Sequence, residues 1–171
     1  MSALGFRRMT HDDLPLLHGW LQQEHVARWW NERSTYEEVE RHYLPAIEGR
    51  EPTDLYLILL AGEPVGFIQT YLVSDYPEYA AQVGVGEDVA GVDLFLGERR
   101  ALGRGLGSAA LRAFVSEVVF ARPGTAACVA DPDVRNVASV RAFEKAGFRS
   151  VKVFEQPGEE APHQLMRLDR P

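Results

Sequence analysis

Apolar residues recur along this chain in two rhythms, one helical and one extended. Leu14, Leu17 and Leu21 fall on one face behind Thr10, and Asp13 stands at the capping-box position, which predicts a helix starting at Thr10. A second short helix or turn is expected over His25 to Trp30. Ser34, with Glu37 three residues on, predicts the cap of a helix running toward Ile47. The extended rhythm begins with a short strand from Phe6 to Met9. Leu55 to Leu60 and Val65 to Tyr71 read as a hairpin across Ala61-Gly62-Glu63-Pro64. Ser74 to Ala90 is rich in Gly, Asp, Glu, Pro and Tyr and predicts a long functional loop holding at most a short strand. Val92 to Leu96 follows as a buried central strand, then a helix from Ser108 to Phe120 marked by Leu111, Val115, Val118 and Val119. Ala126 to Ala130 is the next strand and Asp131 to Asn136 the loop after it. Asn136 reads as an N-cap, Val140, Phe143 and Ala146 as an apolar face, and Gly147 as the helix stop. Phe148 to Phe154 and Gln164 to Leu168 complete the sheet. Helices, hairpin, then strand–helix–strand–helix–strand predicts an α/β fold with a mixed sheet, as one domain over residues 1–171.

Composition narrows the class of partner. Hydrophobic residues are 46% and charged ones 25%, ordinary for a globular protein with a proper core. A net charge of −7 argues against nucleic acid, whose phosphates demand a basic face, and suits a small cationic substrate. The lone Cys128 lies in the apolar run Ala126 to Ala130, which makes it core and excludes a disulfide framework or a multi-cysteine metal site; no metal is expected. The first residues have no apolar signal core, and no run approaches the ~18 apolar residues of a membrane span. A cytoplasmic protein without membrane partners is expected, and nothing in the pattern separates a monomer from a homodimer.

Two strings carry chemistry. Arg100-Ala101-Leu102-Gly103-Arg104-Gly105-Leu106-Gly107 follows a strand and opens a helix. Such a turn presents free backbone N–H groups at the positive end of a helix dipole, a cradle for an anion such as pyrophosphate. It lacks the Gly-Lys-Ser/Thr of a P-loop, and no strand with an acidic end follows at the Rossmann distance. The second string, Asn136 to Phe148, ends in Phe143-Glu144-Lys145-Ala146-Gly147-Phe148. The pair, in this order, resembles the GCN5-related N-acetyltransferase superfamily. The resemblance implies that acetyl-CoA, as co-substrate, lies on Leu102, Gly103, Arg104, Gly105, Leu106, Gly107 and Ser108. It places Leu94 and Leu96 at the acetyl group, Asn136 and Lys145 near the pantetheine arm, and implies that the fourth and fifth strands splay apart to admit the cofactor.

Further strings narrow the resemblance. His25-Val26-Ala27-Arg28-Trp29-Trp30, Tyr43-Leu44-Pro45, Gly62 to Tyr71, Gly91-Val92-Asp93 and Ala130-Asp131-Pro132 are similar to the aminoglycoside 6′-N-acetyltransferases. The likeness runs from about residue 6 to residue 168 and is weakest between Tyr76 and Asp88. It implies an aromatic wall from Trp30 and Tyr43, and aminoglycoside contacts from Glu51, Gln69 and Glu78. Asp93 would sit beside the reacting amine, Asp131 would hold a second ammonium, and Glu159 or Glu160 would supply a tail acid. Independently of any likeness, a carboxylate inside Val92 to Leu96 is costly unless it is paired or functional, which favours a function for Asp93; the resemblance makes that function the catalytic one.

Two departures stand out. Many relatives have Tyr where this chain has Phe143, so no side chain is assigned to protonate the departing thiolate. The stretch around Ala80-Ala81 lacks the tryptophan pair of some close relatives. Other readings remain open at this level: a siderophore-type N-hydroxylysine acyltransferase, another polyamine or metabolite N-acetyltransferase, or an acetyl-CoA-binding sensor without chemistry. Asp at position 93, where the siderophore enzymes tend to carry His, favours a cationic amine.

Overall fold

The computed structural model describes residues 3–171. Its strands are β1 (Leu4–Arg8), β2 (Thr53–Leu60), β3 (Glu63–Leu72), β4 (Val89–Leu96), β5 (Ala127–Ala130), β6 (Arg149–Phe154) and β7 (His163–Asp169). They form a seven-stranded sheet in the order β1-β2-β3-β4-β5-β7-β6. The most continuously apolar runs occupy its middle: β4 is fourth of seven, and all four residues of β5 are buried. The edge strand β6 is exposed almost throughout. β1 and β2 are antiparallel, as are β5 with β7 and β6 with β7, whereas β4 and β5 are parallel, so the sheet is mixed as the element order predicts.

The helices are α1 (Leu14–Leu21), α2 (Glu24–Trp30), α3 (Tyr36–Ile47), α4 (Pro77–Val83), α5 (Leu106–Phe114) and α6 (Val137–Lys145). None of the described helices is long and apolar enough to cross a membrane. The chain divides into two compact units, the first running up to Gln69 and including Leu94–Arg104, the second made of Thr70–Asp93 and Gly105–Pro171.

In the first unit, Leu14, Leu17 and Leu21 are fully buried, together with Leu57 and Phe67. Phe67 stacks on Phe95 at 5.4 Å and meets Trp30 and Tyr43 edge-on at 5.6 and 5.9 Å. Burial of one such ring stabilises by about 1.5–3 kcal/mol, and each well-set aromatic pair adds about 0.5–1.5. Thr10 and Asp13 form the expected capping box, but Asp13 closes a short 3-10 turn (His11–Asp13), and the α-helix proper begins at Leu14. The hairpin turn is Ala61-Gly62 alone, because β3 already starts at Glu63.

The second unit packs Val73, Val83, Val89, Ala127, Val129 and Leu165 into its own core. The long loop expected between Ser74 and Ala90 is instead a 3-10 turn (Val73–Asp75), helix α4 and the start of β4. Pro77 at the first helical position presets α4, and Gly84 in the left-handed region stops it. The predicted Ser108–Phe120 helix starts earlier, at Leu106, and passes into a π-helical turn over Val115–Val119. Asn136 caps α6 as expected, its side chain accepting from the Ser139 N–H.

The feature that positions the chemistry lies in β4. Its parallel pairing with β5 covers Val89, Ala90 and Gly91 opposite Ala127, Cys128 and Val129. Beyond Gly91 the fourth strand continues to Leu96 without the fifth, which is the splay the fold class requires.

The cap of α3 differs from expectation by one residue. Thr35, not Ser34, accepts from the Glu38 N–H, and Glu38, not Glu37, returns to the Thr35 N–H. The Ser34 carbonyl serves instead as acceptor for His18 and Gln22. Thr35→Ala is therefore expected to lower stability by about 1 kcal/mol in urea unfolding, with Ser34→Ala close to neutral. The reverse ranking would restore the cap to Ser34.

Candidate functional site

Asp93 is the second residue past the last β4–β5 pair and is only half-buried. Its neighbours are set by Gly91, whose backbone lies against the ring of Tyr71. A Cβ there would come within 2.5 Å of the ring carbons, so only glycine leaves the phenol its place. The buried Thr70 hydroxyl donates to the Gly91 carbonyl at 2.8 Å and holds β3 to β4 at this point. Tyr71 in turn lies edge-on to Tyr79 on α4, with ring centroids 6.2 Å apart, and Tyr79 donates to Asp131 Oδ1 at 2.6 Å. Both phenols are held neutral far above their usual range by burial first, then by the charges of Asp93 and Asp131. The same burial, with Asp93 nearby, pushes up the thiol of Cys128, which is fully buried and inert.

Asp131 gathers three donors. Besides Tyr79 it accepts from Gln156 Nε2 and from His163 Nδ1, the latter at 3.0 Å to Oδ2, with the Asp131 carbonyl 2.6 Å from the same nitrogen. The two side chains of this ion pair are 10% and 13% exposed, so water screens it little. Bonding to Asp131 holds the His163 proton more tightly than in a free imidazole, against the opposing pull of burial, and Glu159 adds to the effect. Of the two tail acids, Glu159 approaches His163 Nε2 at 3.9 Å, whereas Glu160 is exposed and lies 3.7 Å from Arg135. The structure thus brings Asp93, Asp131 and Glu159 to one cluster and leaves Glu160 and the exposed Glu78 outside its bonds.

The glycine turn has the local geometry of an anion cradle. Gly103 (φ 70) and Gly105 (φ 73) are both left-handed, with open space where a side chain would stand, so glycine is needed for the backbone path alone. Gly105 is the N-cap of α5 and supplies no side-chain acceptor, so the first-turn N–H groups of Leu106, Gly107 and Ser108 have no cap from it. The Ser108 hydroxyl turns back to the Gly105 carbonyl. Leu102, Gly103 and Arg104 are exposed, as are the guanidinium groups of Arg99 and Arg100. Asn136 is occupied in capping α6, and Lys145 is exposed at its last turn, its carbonyl taken by Arg112.

In the first unit, Trp30 Nε1 donates to the Tyr43 hydroxyl at 3.1 Å, and Tyr43 donates to Glu32. Tyr43 is only 4% exposed, so its ring is core and its hydroxyl is bonded to Glu32. Gln69 is half-buried on β3, and Glu51 is exposed just before β2. Leu94 and Leu96 are half-buried at the far end of β4, where His25 Nε2 donates to the Leu96 carbonyl at 3.0 Å. Phe143 is buried edge-on against Phe148 and carries no transferable proton. Among the described residues, no group of three or more His, Cys, Asp or Glu could hold a metal ion.

Sequence reasoning passed over Tyr71, Tyr79, Gln156, His163, Glu32 and His25. Tyr79 and His163 are partners of Asp131 across 52 and 32 residues of chain, and no local spacing signals such a bond.

A parallel strand pair that opens beside a carboxylate, followed by a glycine turn at a helix start, defines an acyl-CoA-type transferase fold. The model of the acetyltransferase (GNAT) domain matches residues 9–156. This chain belongs to the GNAT acetyltransferases. It is similar to aminoglycoside N(6′)-acetyltransferase type 1 of Klebsiella pneumoniae, 34% identical over 150 residues that cover 86% of this chain and 74% of that protein. The crystal structure of aminoglycoside acetyltransferase AAC(6′)-Ib with coenzyme A matches with a TM-score of 0.89 at 32% identity, over 98% of this chain and 95% of the other. A complex of AAC(6′)-Ib with coenzyme A and kanamycin gives 0.88 at 32% identity, with the same coverage.

The ion pair of His163 fixes a pH dependence of stability. A histidine that binds its proton more tightly when folded contributes fully below its unfolded pKa, ~6.5, and loses that contribution as pH rises through the folded value. The stability difference between wild type and His163→Gln is expected to be largest near pH 6 and to shrink toward pH 9. A difference that stays flat over this range in urea titrations would contradict the ion pair.

Proposed function

We propose that this chain is a cytoplasmic aminoglycoside 6′-N-acetyltransferase that moves the acetyl group of acetyl-CoA directly to the 6′-amine of the drug and so confers resistance. The observation that carries this reading is the carboxylate of Asp93 just past the last β4–β5 pair, with its charge and that of Asp131 both acting on Tyr79. Identity to enzymes named for this activity, over most of the chain, supports the choice of acceptor.

The chemistry follows from the charge of the amine. A primary amine of lysine-like pKa is about 3 units above neutral pH, so reaching its nucleophilic form costs roughly 4–5 kcal/mol. Asp93 binds and orients the ammonium, then takes its proton directly or through water. The nitrogen lone pair attacks the thioester carbonyl, the C–N bond forms, and the C–S bond breaks to release the coenzyme A thiolate. Backbone N–H groups at Leu94 or Leu96 stabilise the oxyanion of the tetrahedral intermediate. The N–H groups of Leu102 to Ser108, with Arg104, carry the pyrophosphate, and Asn136 and Lys145 flank the pantetheine arm. A thiol of reference pKa near ~8.5 leaves without a general acid, so Phe143 does not bar turnover, and water protonates the thiolate. No acyl-enzyme forms.

Within the first unit the acceptor's contacts are assigned to Trp30, the Tyr43 hydroxyl, Glu51 and Gln69, and within the second to Glu78, Asp131 and Glu159, which suit its hydroxyl and ammonium groups. Two outcomes test the reading. Kanamycin incubated with acetyl-CoA is expected to gain one acetyl group by mass spectrometry with release of one thiol, while an analogue bearing a 6′-hydroxyl is not turned over. Turnover of an N-hydroxylysine, with none of any aminoglycoside, would move the chain to the siderophore class.

Asp93→Asn should act on the chemical step, since the amide fills the same volume and cannot take a proton. A fall in kcat on the order of 100-fold is expected with KM changed much less, read by steady-state kinetics. A near-normal kcat would assign proton removal to water alone.

A further inference from the structure

Asp131 is already satisfied by protein donors, and one of them carries charge. Tyr79 and Gln156 are neutral partners; His163 is a cation when protonated. Its ring stands between two acids, with Nδ1 3.0 Å from Asp131 Oδ2 and Nε2 3.9 Å from Glu159 Oε2. Nε2 is shut off from solvent and has no hydrogen-bond partner. The connection after β5 supplies Asp131, and also Asp133, whose backbone bridges to His163 and whose carboxylate is held by Arg135. The connection between β6 and β7 supplies Glu159, whose side chain is half exposed. Phe154 of β6 covers the ring at 6.4 Å, with Lys152 5.8 Å from that phenyl ring. From α4 comes the neutral hydroxyl of Tyr79, and through it the charge of Asp93.

We propose that His163 is a built-in stand-in for a substrate ammonium and sets how many positive charges the acceptor can place against Asp131 and Glu159. Protonated, the ring compensates these acids, and an acceptor is held through its reacting amine. Once neutral, it still donates Nδ1–H to Asp131, so the geometry persists while both carboxylates are left to a second ammonium. The proton on His163 and that second ammonium then compete, and each weakens the other by the same factor. This rests on the reading above that Asp131 faces a further amine of the drug.

The test uses the full chain and a readout independent of turnover. The His163 ring-proton signal, assigned by its loss in His163→Gln, is titrated by NMR alone, with saturating kanamycin, and with a 6-amino-6-deoxyglucoside that carries the reacting amine only. Kanamycin is expected to lower the His163 midpoint by about one pH unit, and the monoamine to leave it in place. In kinetics, KM for kanamycin relative to the monoamine should fall about tenfold between pH 6 and pH 9 in wild type and stay level in His163→Gln. A midpoint that kanamycin leaves unmoved or raises overturns the inference, as does an unchanged KM profile in His163→Gln. Turnover of kanamycin without the NMR shift sinks this inference alone; the shift without turnover sinks the acetylation reading alone.

Discussion

A parallel ladder that ends after three residue pairs is the constraint on which the rest depends. Parallel strands are normally covered on both faces and paired along their length, since unpaired backbone groups in an interior are costly. Here β4 leaves β5 after Gly91, and the half-buried Asp93 follows two residues on. A carboxylate at that place would be a defect in an ordinary central strand. Past the end of the ladder the same position is only half-buried, and a charge there keeps part of its solvation.

The phenols around this opening convert a local backbone event into an electrostatic arrangement. Tyr71 lies where it does because Gly91 has no side chain, and its ring meets that of Tyr79, whose hydroxyl donates to Asp131. Asp131 thereby takes hydrogen bonds from the neutral donors Tyr79 and Gln156, which leave its negative potential in place. A titratable cation enters at His163, whose Nδ1 is 3.0 Å from Asp131 Oδ2.

Much of the scaffold was legible because its signals are local. Leu14, Leu17 and Leu21 recur within one helix, Asn136 caps three residues ahead, and an acid inside an apolar strand stands out against its neighbours. Helix α4 escaped notice because seven residues cannot display a full apolar period, and Tyr, Glu and Pro gave that stretch the composition of a loop. Thr35 and Ser34 are both good caps, and the choice turned on where the Ser34 carbonyl was needed. Tyr43 looked like a ring offered to a ligand, yet core packing claims its faces and leaves only the hydroxyl for polar work. The partners of Asp131 come from α4, from the connection after β6 and from β7, and only the folded sheet brings them together.

The buried thiol has a practical corollary. Cys128 is the chain's one cysteine, sits on β5 opposite Ala90, and has no exposed surface. Burial and the charge of Asp93 keep it protonated, so it offers no thiolate to an electrophile. Chromogenic disulfides that report free thiols will register the coenzyme released and nothing from the folded enzyme itself. The background of such a colorimetric trace therefore measures unfolding, and one cuvette can follow catalysis and integrity together.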